Sequence, residues 1–419
     1  MPLVRAFPSL TRDGKLLFST RITRLFAYGL LAVVLALYLA ERGLSETRIG
    51  LVLTLTLVGD VCVSLLITTN ADRVGRRRML LLGAGVMAAT GIVFALSDHW
   101  LALAIAATLG VISPSGYEVG PFLSLEQAAL AQTVGDEKRT HVFAWYNLVG
   151  SFATAAGSLA GGAVSQALQS VGMSPLASYR AILLVYAAMG LVLWVAFWCL
   201  SQAIEARGTA REEPSSSPSA TRLGLGRSSK VVLRLAALFS LDAFGGGFVV
   251  QAMVAYWFQL RFDASPALLG GIFFGANVLA GVSALSAAWV ARKIGLLNTM
   301  VFTHLPSNAL LMLVPVMPTL PAAIVVLLLR FSISQMDVPT RQSYTMAVVR
   351  PEERSAAAGI TGVARSVGAA LAPLLTGPLL ASPALMGAPF VLAGGVKIVY
   401  DFLIWRSFRA LRPPEEQTA

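Results

Sequence analysis

Residues 70–78 read Asn70-Ala71-Asp72-Arg73-Val74-Gly75-Arg76-Arg77-Arg78, a polar and strongly basic break between two long apolar stretches. Gly75 allows a turn that a side chain would block. Asp72 can accept hydrogen bonds from a helix N-terminus or a guanidinium. Arginines flanking an apolar span stay on the cytoplasmic side, facing anionic headgroups. The stretch is therefore a tight cytoplasmic loop joining two membrane helices, and the rest of the chain can be oriented from it.

The composition agrees. Of 419 residues 56% are hydrophobic and only 13% charged, with a mean hydropathy of +0.73. A soluble domain carries about 25% charged residues, so this is an integral membrane protein. The first apolar run follows a basic segment and is too long for the h-region of a cleavable signal peptide. The net charge of +11 comes from Lys and Arg gathered mainly in the segments assigned to the cytoplasm. It reports orientation and not a nucleic-acid partner. Cys62 and Cys199 fall in spans without a neighbour at disulfide or metal spacing, and His99, His141 and His304 are scattered. Neither a metal centre nor a catalytic triad is visible, and no Gly-x-x-x-x-Gly-Lys-Ser/Thr loop is present for a nucleotide. No enzyme and no cofactor is expected.

A span needs about 20 apolar residues. Twelve are predicted, at 18–41, 46–69, 78–97, 100–131, 141–168, 179–202, 231–259, 266–291, 298–317, 320–347, 355–381 and 384–408. Both termini then lie in the cytoplasm. Between the sixth and seventh spans a Pro/Ser-rich stretch, including Glu212-Glu213-Pro214-Ser215-Ser216-Ser217-Pro218, reads as a flexible linker. The expected organisation is a segment 1–15, a six-helix bundle 16–202, a linker 203–230, a second six-helix bundle 231–410 and a tail 411–419. The halves repeat. Val134-Gly135-Asp136-Glu137-Lys138-Arg139-Thr140 is matched, 215 residues on, by Val349-Arg350-Pro351-Glu352-Glu353-Arg354-Ser355. The same offset places Gln127 on Gln342, Ser151 on Ser366 and Gly162 on Gly377, and Ala291-Arg292-Lys293-Ile294-Gly295 looks like a decayed copy of Ala71–Gly75.

Asp-Arg-x-Gly-Arg-Arg in such a loop resembles the signature of the major facilitator superfamily, in which it lies between helices 2 and 3. The family pattern has Gly four residues before the Asp, where this chain has Thr68. The resemblance implies an all-α membrane protein with twelve transmembrane helices in two pseudo-symmetric bundles. It also implies a substrate site between the halves and alternating access by their rocking. Asp72, Arg73, Gly75 and Arg76 would form the gating loop, stabilising the outward-facing state. Glu126 and Gln127, near the inner end of helix 4, are placed to meet it. In helix 11, Gly368-Ala369-Ala370-Leu371-Ala372-Pro373-Leu374-Leu375-Thr376-Gly377 is similar to the glycine-proline pattern that exporters of the family carry in helix 5. Helix 5 has Gly157-Ser158-Leu159-Ala160-Gly161-Gly162, with Ser158 in the proline's place. Tight helix packing explains these small residues as well as an exporter's gating bend does.

A charge at mid-bilayer costs roughly 2.5–3.5 kcal/mol on insertion scales, so each one within a span needs a reason. Asp60, Glu118, Asp242 and Asp337 are candidates for proton coupling. Glu118 sits in Ser113-Pro114-Ser115-Gly116-Tyr117-Glu118-Val119-Gly120-Pro121, where prolines and glycines should loosen helix 4. A permanent ion pair, such as Asp60 with a base of helix 11, is the competing reading. Arg330 and Arg365 can hold an anionic group of a substrate or neutralise Asp337. Tyr28 and Tyr117 are candidates to stack a planar substrate, with belt positions and packing as the alternative. Arg21 and Arg24 are expected to snorkel to headgroups, and Lys397 with Asp401 to form an i,i+4 pair. The expectation is proton-coupled efflux of a small organic compound by a monomeric carrier of the inner (plasma) membrane. The alternative is proton-coupled uptake of an organic anion.

Overall fold

The computed structural model describes residues 10–118, 120, 122–134, 136–205 and 225–411, without the side chains of Asp72 and residues 136–140. Among these residues all regular structure is helical. The helices are α1 Arg12–Glu41, α2 Glu46–Val74, α3 Arg76–Leu96, α4 Trp100–Leu109, α5 Phe122–Thr133, α6 Asp136–Ser170 and α7 Pro175–Trp198, followed by α8 Ser229–Gly247 and α9 Gln251–Phe262. The chain continues through α10 Pro266–Ile294, α11 Leu296–Leu313, α12 Leu320–Phe331, α13 Asp337–Val348, α14 Arg354–Leu380 and α15 Ala388–Phe408. Among the described residues ten stretches are long and apolar enough to cross a membrane, α8 and α9 counting together as Ser229–Phe262. The shorter apolar helices α4 and α12 head the segments expected as the fourth and tenth spans.

Those two segments are not continuous helices. Between α4 and α5 the chain carries Gly110, Pro114 and two glycines at positive φ, Gly116 (73°) and Gly120 (82°), which end one helix and start another. This loosening of helix 4 was legible in the sequence. The interruption between α12 and α13 was not, and there Ser332–Met336 forms turns. The repeat survives in the helix bounds. Helices α2 and α10 are each 29 residues and end at a glycine with positive φ, Gly75 at 107° and Gly295 at 86°. Helices α5 and α13 are each 12 residues and start 215 positions apart.

The chain divides into two compact units. The first comprises Met1–Ser45, Leu55–Glu212 and Gln251–Phe274; the second comprises Glu46–Thr54, Glu213–Val250 and Gly275–Ala419. In the first, α1 is the central helix, buried along most of its length against α6 and α7. Backbones touch there because glycines leave room: a Cβ on Gly157 would lie 2.0 Å from the Phe26 carbonyl oxygen, and one on Gly29 2.1 Å from that of Thr154. The glycines of 157–162 are thus spent on helix approach. In the second unit α8 packs on α14 and α15, and α11 on α13 and α15. Leu235, Phe239, Met300, Tyr344, Tyr400 and Ile404 form its apolar core. Polarity is inverted relative to a soluble protein. Leu66, Leu109 and Phe402 are exposed, whereas Arg24, Asp242 and Asp401 are buried.

Candidate functional site

Each unit encloses a buried charge network. In the first, α1 presents Arg21 and Arg24 one turn apart, and two acids return to them, Glu118 from the helix-4 interruption and Glu126 from α5. Arg24 meets Glu126 in a fork: Nη1 to Oε1 at 2.7 Å and Nη2 to Oε2 at 2.7 Å, while its Nε donates to Glu118 Oε1 at 2.8 Å. Arg21 donates from Nη1 to Glu118 Oε2 (2.7 Å), from Nε to the Tyr146 carbonyl (2.8 Å) and from Nη2 to Asn147 Oδ1 (3.2 Å). Thr20 Oγ1 (2.8 Å) and the Tyr146 hydroxyl donate to Glu126. Aromatic faces complete the shell, Tyr146 at 4.3 Å from the Arg21 guanidinium and Phe122 at 4.8 Å from that of Arg24.

This overturns two expectations. Arg21 and Arg24 do not snorkel; both are buried, because two carboxylates close by repay their desolvation. Glu126 does not turn to the 70–78 loop, since its carboxylate is held by α1. That loop is met instead by residues not singled out from the sequence. Glu205 accepts from the Arg76 backbone N–H (2.6 Å) and that of Arg77 (3.2 Å), capping α3, and Gln132, its amide oriented to suit, accepts from Arg76 Nη1 at 2.9 Å. Gly75 supplies the turn, Arg73 is exposed and Gln127 is half-buried. The Asp72 side chain lies outside the described residues.

Asp60, on α2, differs from Glu118 and Glu126. Its Oδ1 accepts from Ser64 Oγ at 3.1 Å and from the Gly120 backbone N–H at the helix-4 interruption. Among the described residues no cation pairs with it, so the expected ion pair with a helix-11 base does not form. Tyr28 is fully buried in α1 and offers no surface to a solute in this structure, while Tyr117 is exposed.

In the second unit Asp242 of α8 is the hub. Lys397 Nζ lies 2.6 Å from its Oδ1, and Arg341 and Arg365 donate to Oδ2 at 3.1 and 3.0 Å. Arg341 also binds Asp337, one turn before it on α13, at 2.8 Å. His304 Nδ1 lies 2.8 Å from Asp401 Oδ1, its Nε2 3.8 Å from Asp242, and Asn308 donates to Asp401 Oδ2 at 3.1 Å. The pairings again differ from expectation. Lys397 does not pair with Asp401, because α8 and α11 bring each a better partner from across the unit. Arg330 does not neutralise Asp337; the interruption after α12 removes the two-turn register, and Arg330 stacks on Phe331 at 4.7 Å. Arg341 and His304 were missed. Arg341 follows Glu126 by the repeat offset of 215, and that was the signal available for it; His304 left none.

The comparisons with known proteins agree with this architecture. The family model described as Major Facilitator Superfamily matches residues 17–373. A membrane protein of Saccharomyces cerevisiae, YJR124C, described as uncharacterized, is 30% identical over 95% of this chain and 94% of its own length. Among solved structures, a single-residue variant of the nucleoside transporter NupG superposes with a TM-score of 0.75 at 15% identity, covering 95% of this chain and 100% of that one. A D-xylose–proton symporter gives 0.73 at 15% identity over 94% and 97% of the two chains, and the human organic anion transporter MFSD10 gives 0.59 at 19% over 94% and 99%. At such identities the solved structures establish the fold. Taken with the span count and the repeated helices, the family match makes the chain a membrane transporter of the Major Facilitator Superfamily.

Proposed function

We propose that this protein is a proton-coupled exporter of a small organic compound, working by alternating access in the plasma membrane as a monomer with both termini in the cytoplasm. In this reading α4 with α5 and α12 with α13 are the interrupted fourth and tenth of twelve spans. Residues 16–202 and 231–410 are then the two six-helix repeats, joined by the linker 203–230. The observation that carries proton coupling is the contrast between Asp60 and the other acids named for that role, together with Glu126 beside them. Glu118, Glu126, Asp242 and Asp337 are each tied to one or more guanidinium or ammonium groups. A carboxylate so paired is expensive to strip of its charge. Among the described residues Asp60 has only a hydroxyl and an amide N–H as partners, so gaining a proton breaks no ion pair there. It hydrogen-bonds the interrupted stretch of helix 4, where a change of charge can move backbone. The glycine-proline pattern of helix 11, whose Pro373 and Pro378 lie within α14, favours the outward direction.

The test is growth of a pump-deficient bacterium expressing the protein across a panel of toxic compounds, followed by transport of any hit into inverted vesicles with and without an imposed pH gradient. Asp60→Asn should leave expression and unfolding temperature near wild type and abolish the gradient-driven component. Full gradient dependence in that variant would refute coupling through Asp60, and sensitisation in place of resistance would reverse the direction.

A further inference from the structure

Arg365 stands apart from the other buried arginines in how little of its donor capacity is used. Arg24 spends three N–H groups on two carboxylates, and Arg21 spends three on a carboxylate, a carbonyl and an amide. Arg341 bridges two acids. Arg365 makes one hydrogen bond, from Nη1 to Asp242 Oδ2, and it is its only partner among the described residues. Its side chain is 33% exposed, against 7% for Arg341 and 10% for Lys397. Asp242 meanwhile does not depend on it. With Arg365 withdrawn, Oδ1 keeps Lys397 at 2.6 Å and Oδ2 keeps Arg341 at 3.1 Å. No buried charge is orphaned by the move, which is the usual obstacle to opening a buried pair.

We propose that Arg365 is an anion-binding subsite for the transported compound, with Asp242 as the internal counter-ion that a ligand carboxylate or phosphate displaces. The planar guanidinium suits a two-pronged grip on either group. This rests on the reading of the chain as a carrier of a small organic compound and narrows that compound to one bearing an anionic group. An anionic lipid headgroup has the same chemistry and is distinguished by experiment.

The full chain, purified into nanodiscs of phosphatidylcholine, is titrated with benzoate, phenyl phosphate and uncharged benzamide while its unfolding temperature is followed. The two anions should stabilise it saturably and benzamide should not. Arg365→Gln should weaken the anions roughly tenfold or more, and Arg365→Lys should fall between. Asp242→Asn, which removes the competitor, should tighten them, an effect that a purely structural role for Arg365 would not produce. A second arm replaces part of the lipid with phosphatidylglycerol. Stabilisation confined to that arm and lost in Arg365→Gln would keep the anion subsite and assign it to a lipid headgroup. Anion effects equal in wild type and Arg365→Gln, or none in either arm, would overturn the proposal. The readout uses no gradient, so its failure leaves proton coupling through Asp60 standing, and the converse also holds.

Discussion

Neutralising Glu126 is the sharpest test of how the first unit is held together. Glu126 and Arg24 are both fully buried and joined by two hydrogen bonds of 2.7 Å, with Thr20 and Tyr146 on the acid and Glu118 on the base. Removing one partner of such a pair costs about 3–5 kcal/mol, because the other charge stays buried without compensation. Glu118 at 2.8 Å still covers Arg24 Nε, which places Glu126→Gln near the lower end, about 3 kcal/mol. Arg24→Met with Glu126→Met together should cost much less than the sum of the two singles, since no lone charge remains. Denaturant or thermal unfolding in detergent, run as a double-mutant cycle, measures this directly. Singles within about 0.5 kcal/mol of wild type, or additivity within that margin, would refute the claim that the pair is one buried unit.

Three more outcomes follow from the geometry. Gly157→Ala should destabilise by about 1–3 kcal/mol through overpacking against the Phe26 carbonyl, whereas Gly359→Ala, with open space around its new Cβ, should be neutral or stabilising; equal effects would remove the close-approach reading of helix 5. Double-mutant cycles should find Lys397 coupled to Asp242 by about 1 kcal/mol or more and coupled to Asp401 within about 0.5 kcal/mol of zero, with the reverse ranking restoring the i,i+4 pair. On a loop outside the spans, hydrogen bonding and charge from Arg42, with Arg180 behind it, hold the Asp98 carboxyl below its ordinary range. A carboxyl so depressed stabilises above the unfolded value of about 3.9 and loses that contribution as pH falls through the folded value. The unfolding-temperature difference between wild type and Asp98→Asn should therefore be flat above about pH 5 and shrink toward pH 3, and a difference independent of pH would refute the clamp.

Much of the fold was legible because membrane insertion writes itself into composition. Apolar runs of about 20 residues, a basic loop with its turn glycine and a repeated polar loop are local or periodic signals. They located the ten stretches long and apolar enough to cross a membrane among the described residues, the Gly75 turn and the weakness in helix 4. Local signals also misled. Lys397 and Asp401 are four apart on one helix, and that spacing suggests a pair. Arg21 and Arg24 lie near a helix end, and that position suggests snorkelling. In each case the winning partner comes from a helix that is distant in sequence: Asp242 is 155 positions from Lys397, and Glu126 is 102 from Arg24.

The sequence by itself determined that the chain is a helical membrane protein with an internal repeat, and which helices carry charge. The cost of an unpaired charge in hydrocarbon guarantees that each such residue has a purpose, yet it does not name the partner. Only the tertiary structure decided the pairings: Arg24 with Glu126 and Glu118, three cations on Asp242, His304 on Asp401, and Asp60 left with uncharged donors. A pairing energy depends on distances of a few ångströms between side chains from different helices, and helix packing sets those distances where sequence spacing does not.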